Sequence, residues 1–237
     1  MSLRCAVFGA SGGIGQALVA ALAARDEVAE VWAGSRKGQD DAGKVRGFAF
    51  DLADEASIAA ACAGMAAPLD LAIVATGRLT LDDGSGPEKS YRALDPARLA
   101  ESFAVNAIGP AIVAKHVLPL LPRDRRAVFA ALSARVGSIA DNRLGGWHGY
   151  RASKAALNML VRNFAVELGR THREAVVVAL HPGTVDTGLS APFQKGVTPE
   201  KLFAPAFSAE RLLAVLDGLS AADSGKLFAW DGAEVPF

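Results

Sequence analysis

Leu3-Arg4-Cys5-Ala6-Val7-Phe8-Gly9-Ala10-Ser11-Gly12-Gly13-Ile14-Gly15 is the stretch whose reading decides the fold. Leu3 to Phe8 is an apolar, strand-like run, and Ile14 to Ala24 carries the pattern of a helix that follows it. Glycines between the two permit a tight turn and let backbone amides approach a pyrophosphate at the helix N-terminus. Gly9, Ser11, Gly13, Ile14 and Gly15 are therefore predicted to hold a dinucleotide. The spacing is GxxxGxG rather than GxGxxG, so the signal rests on its place directly after a strand as much as on the glycines.

Outward from this unit, strand-like and helix-like patterns alternate to the end of the chain. Val28 to Ala33, Val45 to Phe50, Leu69 to Ala75, Arg126 to Ser133, Ala175 to Leu180 and Lys226 to Trp230 read as strands. Asp95-Pro96 supplies an N-cap and a first-turn proline for a long helix running toward Leu121. Helices are also predicted from Tyr150 to Leu168 and near Ala209 to Leu219. This order predicts an α/β fold: a doubly wound, Rossmann-like parallel sheet with helices on both faces. At 237 residues, with 51% hydrophobic content, the chain has room for a single domain over 1–237 and a well-buried core. Two stretches interrupt the rhythm, 78–94 and 188–205, and loops of this length serve as substrate lids or are plain surface irregularity.

Lysine plus arginine balance aspartate plus glutamate at 25 each, so no global basic field is present to hold nucleic acid or an anionic membrane. A small-molecule partner is expected instead. Two cysteines, Cys5 and Cys62, offer neither a disulfide framework nor metal-ligand spacing, which accords with a cytoplasmic protein without a metal. No apolar segment is expected to reach the ~18 residues of a membrane span, and none reads as a signal peptide.

The end of the second strand chooses between cofactors. A carboxylate there would hold the ribose hydroxyl of NAD, whereas Ala33-Gly34-Ser35-Arg36-Lys37 presents a hydroxyl and two cations. These residues predict NADP(H) rather than NAD(H). Asp51, after the third strand, is read either as an acceptor for the adenine amino group or as a helix cap.

Tyr150 and Lys154 stand four residues apart on a predicted helix and so share a face. An unperturbed phenol titrates near pH ~10, and a neighbouring ammonium favours the phenolate. The pair is expected to exchange a proton with a carbonyl oxygen.

Taken together, these pieces resemble the short-chain dehydrogenase/reductase family over nearly the whole chain. The resemblance rests on the glycine turn, Asp51-Leu52, Ala75-Thr76-Gly77, Asn106, a serine-bearing strand end, Tyr150 with Lys154, and Pro182-Gly183. Within the family the chain is most similar to the sniffer-like carbonyl reductases and the C-factor group, through Ser133 to Ile139 and Gly145-Gly146-Trp147. The resemblance implies that Tyr150 is the general acid/base and that Lys154 holds the nicotinamide ribose. It also implies that Asn106 bends its helix around a relay water and that Thr187 bonds the nicotinamide carboxamide. Asp51, Leu52, Ala75, Thr76, Gly77, Pro182 and Gly183 would complete the cofactor site.

One position departs from the pattern. Ala134 stands where the family has its catalytic hydroxyl, leaving Ser133, Ser138 or no serine at all. Ser133 is the first choice, although adjacent strand residues face opposite ways. Other candidates near the site are His148, the arginines Arg135, Arg143 and Arg151, and the aromatic pair Trp147 and Phe193. The function expected is NADPH-dependent reduction of a ketone or aldehyde, or the reverse alcohol oxidation. A dinucleotide-responsive signalling protein of the C-factor type is the alternative, and a sugar-nucleotide epimerase would need a larger C-terminal domain. By analogy the chain is expected to form a homodimer or homotetramer through the helices at 95–121 and 150–168, with Phe103, Val105, Ile112, Leu157, Leu160 and Phe164 among their apolar residues.

Overall fold

The computed structural model describes residues 2–237. Strand β1 (Leu3–Phe8) leads through the glycine turn into α1 (Gly13–Ala23), followed by β2 (Val28–Ser35), β3 (Val45–Ala49), α2 (Glu55–Ala63) and β4 (Leu71–Val74). Then come α3 (Pro96–Phe103), α4 (Gly109–Val117), β5 (Ala127–Leu132), α5 (His148–Leu168) and β6 (Ala175–His181). The short β7 (Thr184–Val185) and β8 (Leu202–Phe203), α6 (Pro205–Gly218), β9 (Leu227–Ala229) and β10 (Glu234–Val235) complete the chain.

Eight strands form one sheet in the order β10-β9-β6-β5-β4-β1-β2-β3. All neighbours are parallel except the β9–β10 pair, which is antiparallel. The chain moves outward from β1 through β2 to β3, then returns to the other side of β1 to lay down β4. That reversal opens a crevice at the carboxyl ends of β1 and β4, where sheets of this kind take their ligands.

Period-2 alternation sends each strand into two separate cores. On β5, Ala127, Phe129 and Ala131 join the core under α2, α4 and α5, while Val128, Ala130 and Leu132 join the one under α1 and α6. β6 divides likewise, with Val177 and Ala179 on the first face and Val176, Val178 and Leu180 on the second. Both faces are covered, which explains why the strands read as unbroken apolar runs.

Three departures from the sequence reading have local causes. The helix expected from Asp95 to Leu121 is interrupted: a π-helical turn at Ala104–Ile108 separates α3 from α4. Pro110 has no N–H for the carbonyl of Asn106 four residues earlier, and the ring crowds that turn, so the ladder widens there. The run Pro96–Leu120 is also long and apolar enough to cross a membrane by length and composition, contrary to expectation. In the fold, its Val113, Ala114 and Val117 are buried in the core against the sheet. The stretch 188–205 is less irregular than it reads, because Leu202 and Phe203 pair in parallel with Thr184 and Val185, and Pro205 opens α6.

Candidate active site

The carboxyl ends of the central strands and the start of α5 surround a cavity of about 710 Å3. Its floor is the glycine turn. Gly9 adopts φ 97°, the left-handed region open to glycine, and Gly9 and Ala10 N–H groups donate to the Gly34 carbonyl at 2.9 and 2.8 Å. A Cβ on Gly15 would lie 2.1 Å from the Gly9 carbonyl oxygen, so the turn closes only around glycine. α1 is capped by Gly12 with no side-chain bond and carries no acid in its first turn. Its first intrahelical bond runs from Gln16 N–H to the Gly12 carbonyl at 2.8 Å, leaving the preceding amides facing the cavity end. Ser11, Gly13, Ile14 and Gly15 all line this cavity.

Across the crevice stand Ala75, Thr76 and Gly77, and from the chain after β6 come Pro182, Gly183 and Thr187. The Gly13 site packs so closely on Thr187 that a Cβ would meet its Cγ2 at 2.7 Å. Two polar atoms at this cavity are buried without a partner, Thr76 Oγ1 and His181 Nδ1. Burial pushes the His181 imidazole down to about 4, with the nearby Arg135 acting in the same direction, so the ring is neutral at pH 7. An uncapped helix end, a turn closed to side chains and two orphaned polar groups fit a bound dinucleotide.

Other predicted cofactor contacts fall less uniformly. Ser35 is buried and donates its hydroxyl to the Gly38 carbonyl at 2.9 Å. Arg36 and Lys37 are exposed just beyond it. Asp51 Oδ1 accepts from Ala53 N–H at 2.9 Å within its own turn, ahead of α2, so it is not the helix cap that was the competing reading. The cap of α2 itself is Asp54, which accepts from Ala56 N–H at 3.0 Å. Leu52 packs its side chain over Gly109, where a Cβ would lie 2.2 Å from Leu52 Cγ.

Tyr150, Lys154, Leu157, Asn158, Val161 and Ala165 follow the helical repeat along the inner face of α5. Lys154 is buried, its Nζ 5.9 Å from the centre of the Tyr150 ring and donating to the Leu132 carbonyl at 2.8 Å. The structure reverses the expected direction of the phenol's shift. Burial pushes Tyr150 up to about 12 and Lys154 down to about 7. Desolvation disfavours both charges and outweighs their attraction in the protein alone. Tyr150 is therefore a protonated phenol at neutral pH.

Asn106 lies at the π turn, as the resemblance implied for a bent helix, but both ends of its amide are occupied. Oδ1 accepts from Arg78 N–H and Nδ2 donates to the Arg78 carbonyl, each at 2.9 Å. Nδ2 also reaches Ser102 Oγ at 3.4 Å, and Ser102 lies 3.2 Å from Ser153 Oγ, which in turn donates to the Tyr150 carbonyl at 2.9 Å. Asn106 thus ties the start of 78–94 and α3 to the first turns of α5.

Ser133 continues the β5 alternation toward α5 and donates its hydroxyl to Asn158 Oδ1 at 2.7 Å. Ser138 Oγ accepts from Asp141 N–H at 3.0 Å, and the cavity is lined by Ser133 and Ala134 rather than by Ser138. Ser133 is the hydroxyl the fold brings to the cavity. Arg135 is held by Asp141 at 2.6 Å, Arg143 donates to the Ala140 carbonyl at 2.9 Å, and Arg151 Nε donates to the Gly146 carbonyl at 3.1 Å. Trp147 and Phe193 both line the cavity, meeting edge to face at 5.5 Å. Sequence reasoning missed Asn158, His181 and Glu88. Glu88 is buried, and its Oε2 accepts from Gly149 N–H at 3.0 Å across 61 residues, a pairing with no local signature.

A parallel sheet with its crevice beside β1, a glycine turn under a helix end and a half-buried Tyr150 beside buried Lys154 define a nicotinamide-type oxidoreductase scaffold. The family model for short chain dehydrogenases matches residues 4–197, and the chain belongs to this family of oxidoreductases. It is 38% identical over 144 residues to C-signal of Myxococcus xanthus, a match covering 61% of this chain and 81% of that protein. It spans less than two thirds of the length of several further curated relatives. The NADPH-bound carbonyl reductase from chicken fatty liver superposes with a TM-score of 0.84 at 25% identity, covering 100% of this chain and 95% of that one. The carbonyl reductase Sniffer of D. melanogaster shares the fold at a TM-score of 0.84 and 20% identity, with 100% of each chain covered.

Burial of Lys154 has a measurable consequence for stability. Its folded pKa lies below its unfolded value, so the unfolded chain binds the extra proton between about 7 and 10.5, and stability rises with pH across that window. Lys154→Met is expected to be more stable than the parent at pH 6, on the order of 2–4 kcal/mol in chemical denaturation. The advantage should shrink steadily toward pH 10. An equal difference at pH 6 and pH 9.5 would contradict this account.

Proposed function

We propose that the protein is an NADPH-dependent reductase of ketones or aldehydes, with Tyr150 as the general acid. The observation that carries this reading is Tyr150 set beside buried Lys154, its ring centre 5.9 Å from Nζ, in a cavity continuous with the glycine turn. Similarity to the NADPH-bound chicken carbonyl reductase supports the choice of cofactor and substrate class.

Amides of Ser11, Gly13, Ile14 and Gly15 would hold the pyrophosphate, with Gly9 shaping the turn beneath it, and Arg36 with Lys37 would hold the ribose phosphate. Ala75, Thr76 and Gly77 would border the adenosine half, with Asp51 placed for adenine. Pro182, Gly183 and Thr187 would frame the nicotinamide. When bound, NADPH supplies the hydride that reduces the carbonyl carbon. As that carbon is reduced, its oxygen takes the proton from Tyr150 Oη, and the C–O bond ends as an alcohol. Ser133 offers the same oxygen a second polar neighbour once its hydroxyl leaves Asn158. The phenolate left on Tyr150 favours the charged form of Lys154, because opposite charges at this range attract strongly away from water. Apolar walls from Leu79, Val136, Trp147, Leu189 and Phe193 exclude water and suit a carbonyl carried on an apolar group.

The second reading is a dinucleotide-responsive signalling protein. Similarity to C-signal and alanine at position 134 favour it. Turnover of several carbonyl compounds with NADPH supports the enzyme, whereas tight NADPH binding with no turnover supports the sensor.

Self-association is proposed through the helical face opposite the site. The residues left open there are Ile108 (55% exposed), Met159 (61%) and Val166 (51%), while Leu157, counted earlier among the interface residues, is buried. Light scattering at micromolar concentration should give a dimer or tetramer, and Met159→Glu should lower that mass. A monomeric parent protein would remove the proposal. Tyr150→Phe should lower kcat at least ~100-fold while NADPH affinity stays within about threefold, read by stopped-flow turnover and fluorescence titration. Retained turnover would overturn the role of Tyr150. Arg36→Asp should cut kcat/KM for NADPH by about 10- to 100-fold and raise the relative use of NADH, and an unchanged cofactor ratio would count against Arg36.

A further inference from the structure

We propose that Glu88 is a positioning residue for Tyr150, clamping the loop at 78–94 onto the first turn of α5 and holding Trp147 as a wall of the substrate cavity. The proposal deepens the reductase reading and rests on it for its kinetic arm.

The start of α5 lacks ordinary means of support. Its N-cap is Trp147, which makes no side-chain capping bond and sits at φ 52°, ψ 40°, a left-handed conformation unfavourable for a bulky residue. Both ends of Glu88 make up the deficit. Its carbonyl accepts from Trp147 N–H, and its carboxylate accepts from Gly149 N–H at 3.0 Å. Glu88 is only 9% exposed, an uncommon state for a carboxylate, and the helix N-terminus stabilises its charge there. Gly149 makes room for it: a Cβ at that position would lie 3.0 Å from Glu88 Oε1.

The clamp acts on the residues on either side of Gly149. Tyr150 follows it directly, and the Trp147 ring meets the Tyr150 ring edge on at 6.3 Å and Phe193 at 5.5 Å. Trp147 and Phe193 also form one side of a second cavity of about 550 Å3, bordered by Gly86, Pro87, Glu88 and Lys89. Trp147 therefore partitions two spaces, and Glu88, which holds its N–H, also holds the backbone beside the catalytic phenol. Glu88 touches neither the main cavity nor the reacting atoms, so its effect passes through Trp147 and Tyr150.

Three variants and two readouts test the proposal. Glu88→Ala should raise KM for a bulky aromatic ketone and lower kcat, for a combined loss of about 10- to 100-fold in kcat/KM, with NADPH affinity within about twofold. Glu88→Gln keeps an acceptor oxygen and should restore most of that loss. Gly149→Ala introduces a better helix former, so reduced activity there reports crowding by the new Cβ, nearest Glu88 Oε1 at 3.0 Å and then Leu99 Cδ2 at 3.3 Å, rather than helix propensity. Hydrogen exchange of the amides at 147–153 should quicken in Glu88→Ala and Gly149→Ala. Folded Glu88→Ala with parental kcat and KM overturns the proposal, even if exchange quickens, because the contact is then only structural. If Glu88→Ala does not fold, the other two variants decide, and parental kinetics in both overturn it. Should the parent reduce no carbonyl compound, the reductase reading fails, and parental exchange rates in the variants overturn the clamp separately.

Discussion

A lysine buried with no carboxylate beside it is the constraint around which the rest of the structure is arranged. Removing an ammonium from water is costly, and here the visible compensation is one carbonyl, that of Leu132, at the end of β5. The same lack of water holds the proton on Tyr150. Burial therefore keeps Tyr150 neutral and brings the ionisation of Lys154 down into the neutral range. In the proposed reaction, the charge that desolvation withholds from the pair would develop only as a reacting oxygen takes the proton. Stability is given up at one position for chemistry at the same position.

Keeping that pair in place requires support from several elements distant in sequence. Two-sided burial of β5 and β6 fixes their ends, and with them Ser133, His181 and the Leu132 carbonyl. The π turn at 104–108 puts Asn106 against the backbone of Arg78, and the Ser102–Ser153 contact carries that link to α5. Glu88 closes the other side at Gly149. Each link joins a loop to the helix bearing Tyr150, so the loops bordering the cavity and α5 form one packed unit.

Much of this was legible from residue patterns. The strand-glycine-helix opening placed the dinucleotide crevice, because an apolar run followed by glycines has few other uses in an alternating chain. Four-residue spacing placed Tyr150 and Lys154 on one face, and the turn after β2 showed cations in place of a carboxylate. Other features were hidden. The Ser35 hydroxyl turned inward to Gly38, and Asp51 capped its own turn, since short polar side chains bond the nearest backbone group first. The direction of the phenol's shift was misread because a sequence reveals a neighbouring charge and conceals how much water both groups have lost.

Local order, then, was determined by the sequence alone: which runs become strands, where glycine is obligatory, and which side chains share a helical face. These follow from sterics and from the period-2 and period-3.6 repeats, which act between residues close in the chain. Tertiary structure alone decided the ionisation of the Tyr150–Lys154 pair, the choice of Ser133 over Ser138 at the cavity, and the capping of α5 by Glu88 from 61 residues away. Desolvation and long-range hydrogen bonds depend on what surrounds a group in space, and that becomes defined only when both faces of the sheet are covered.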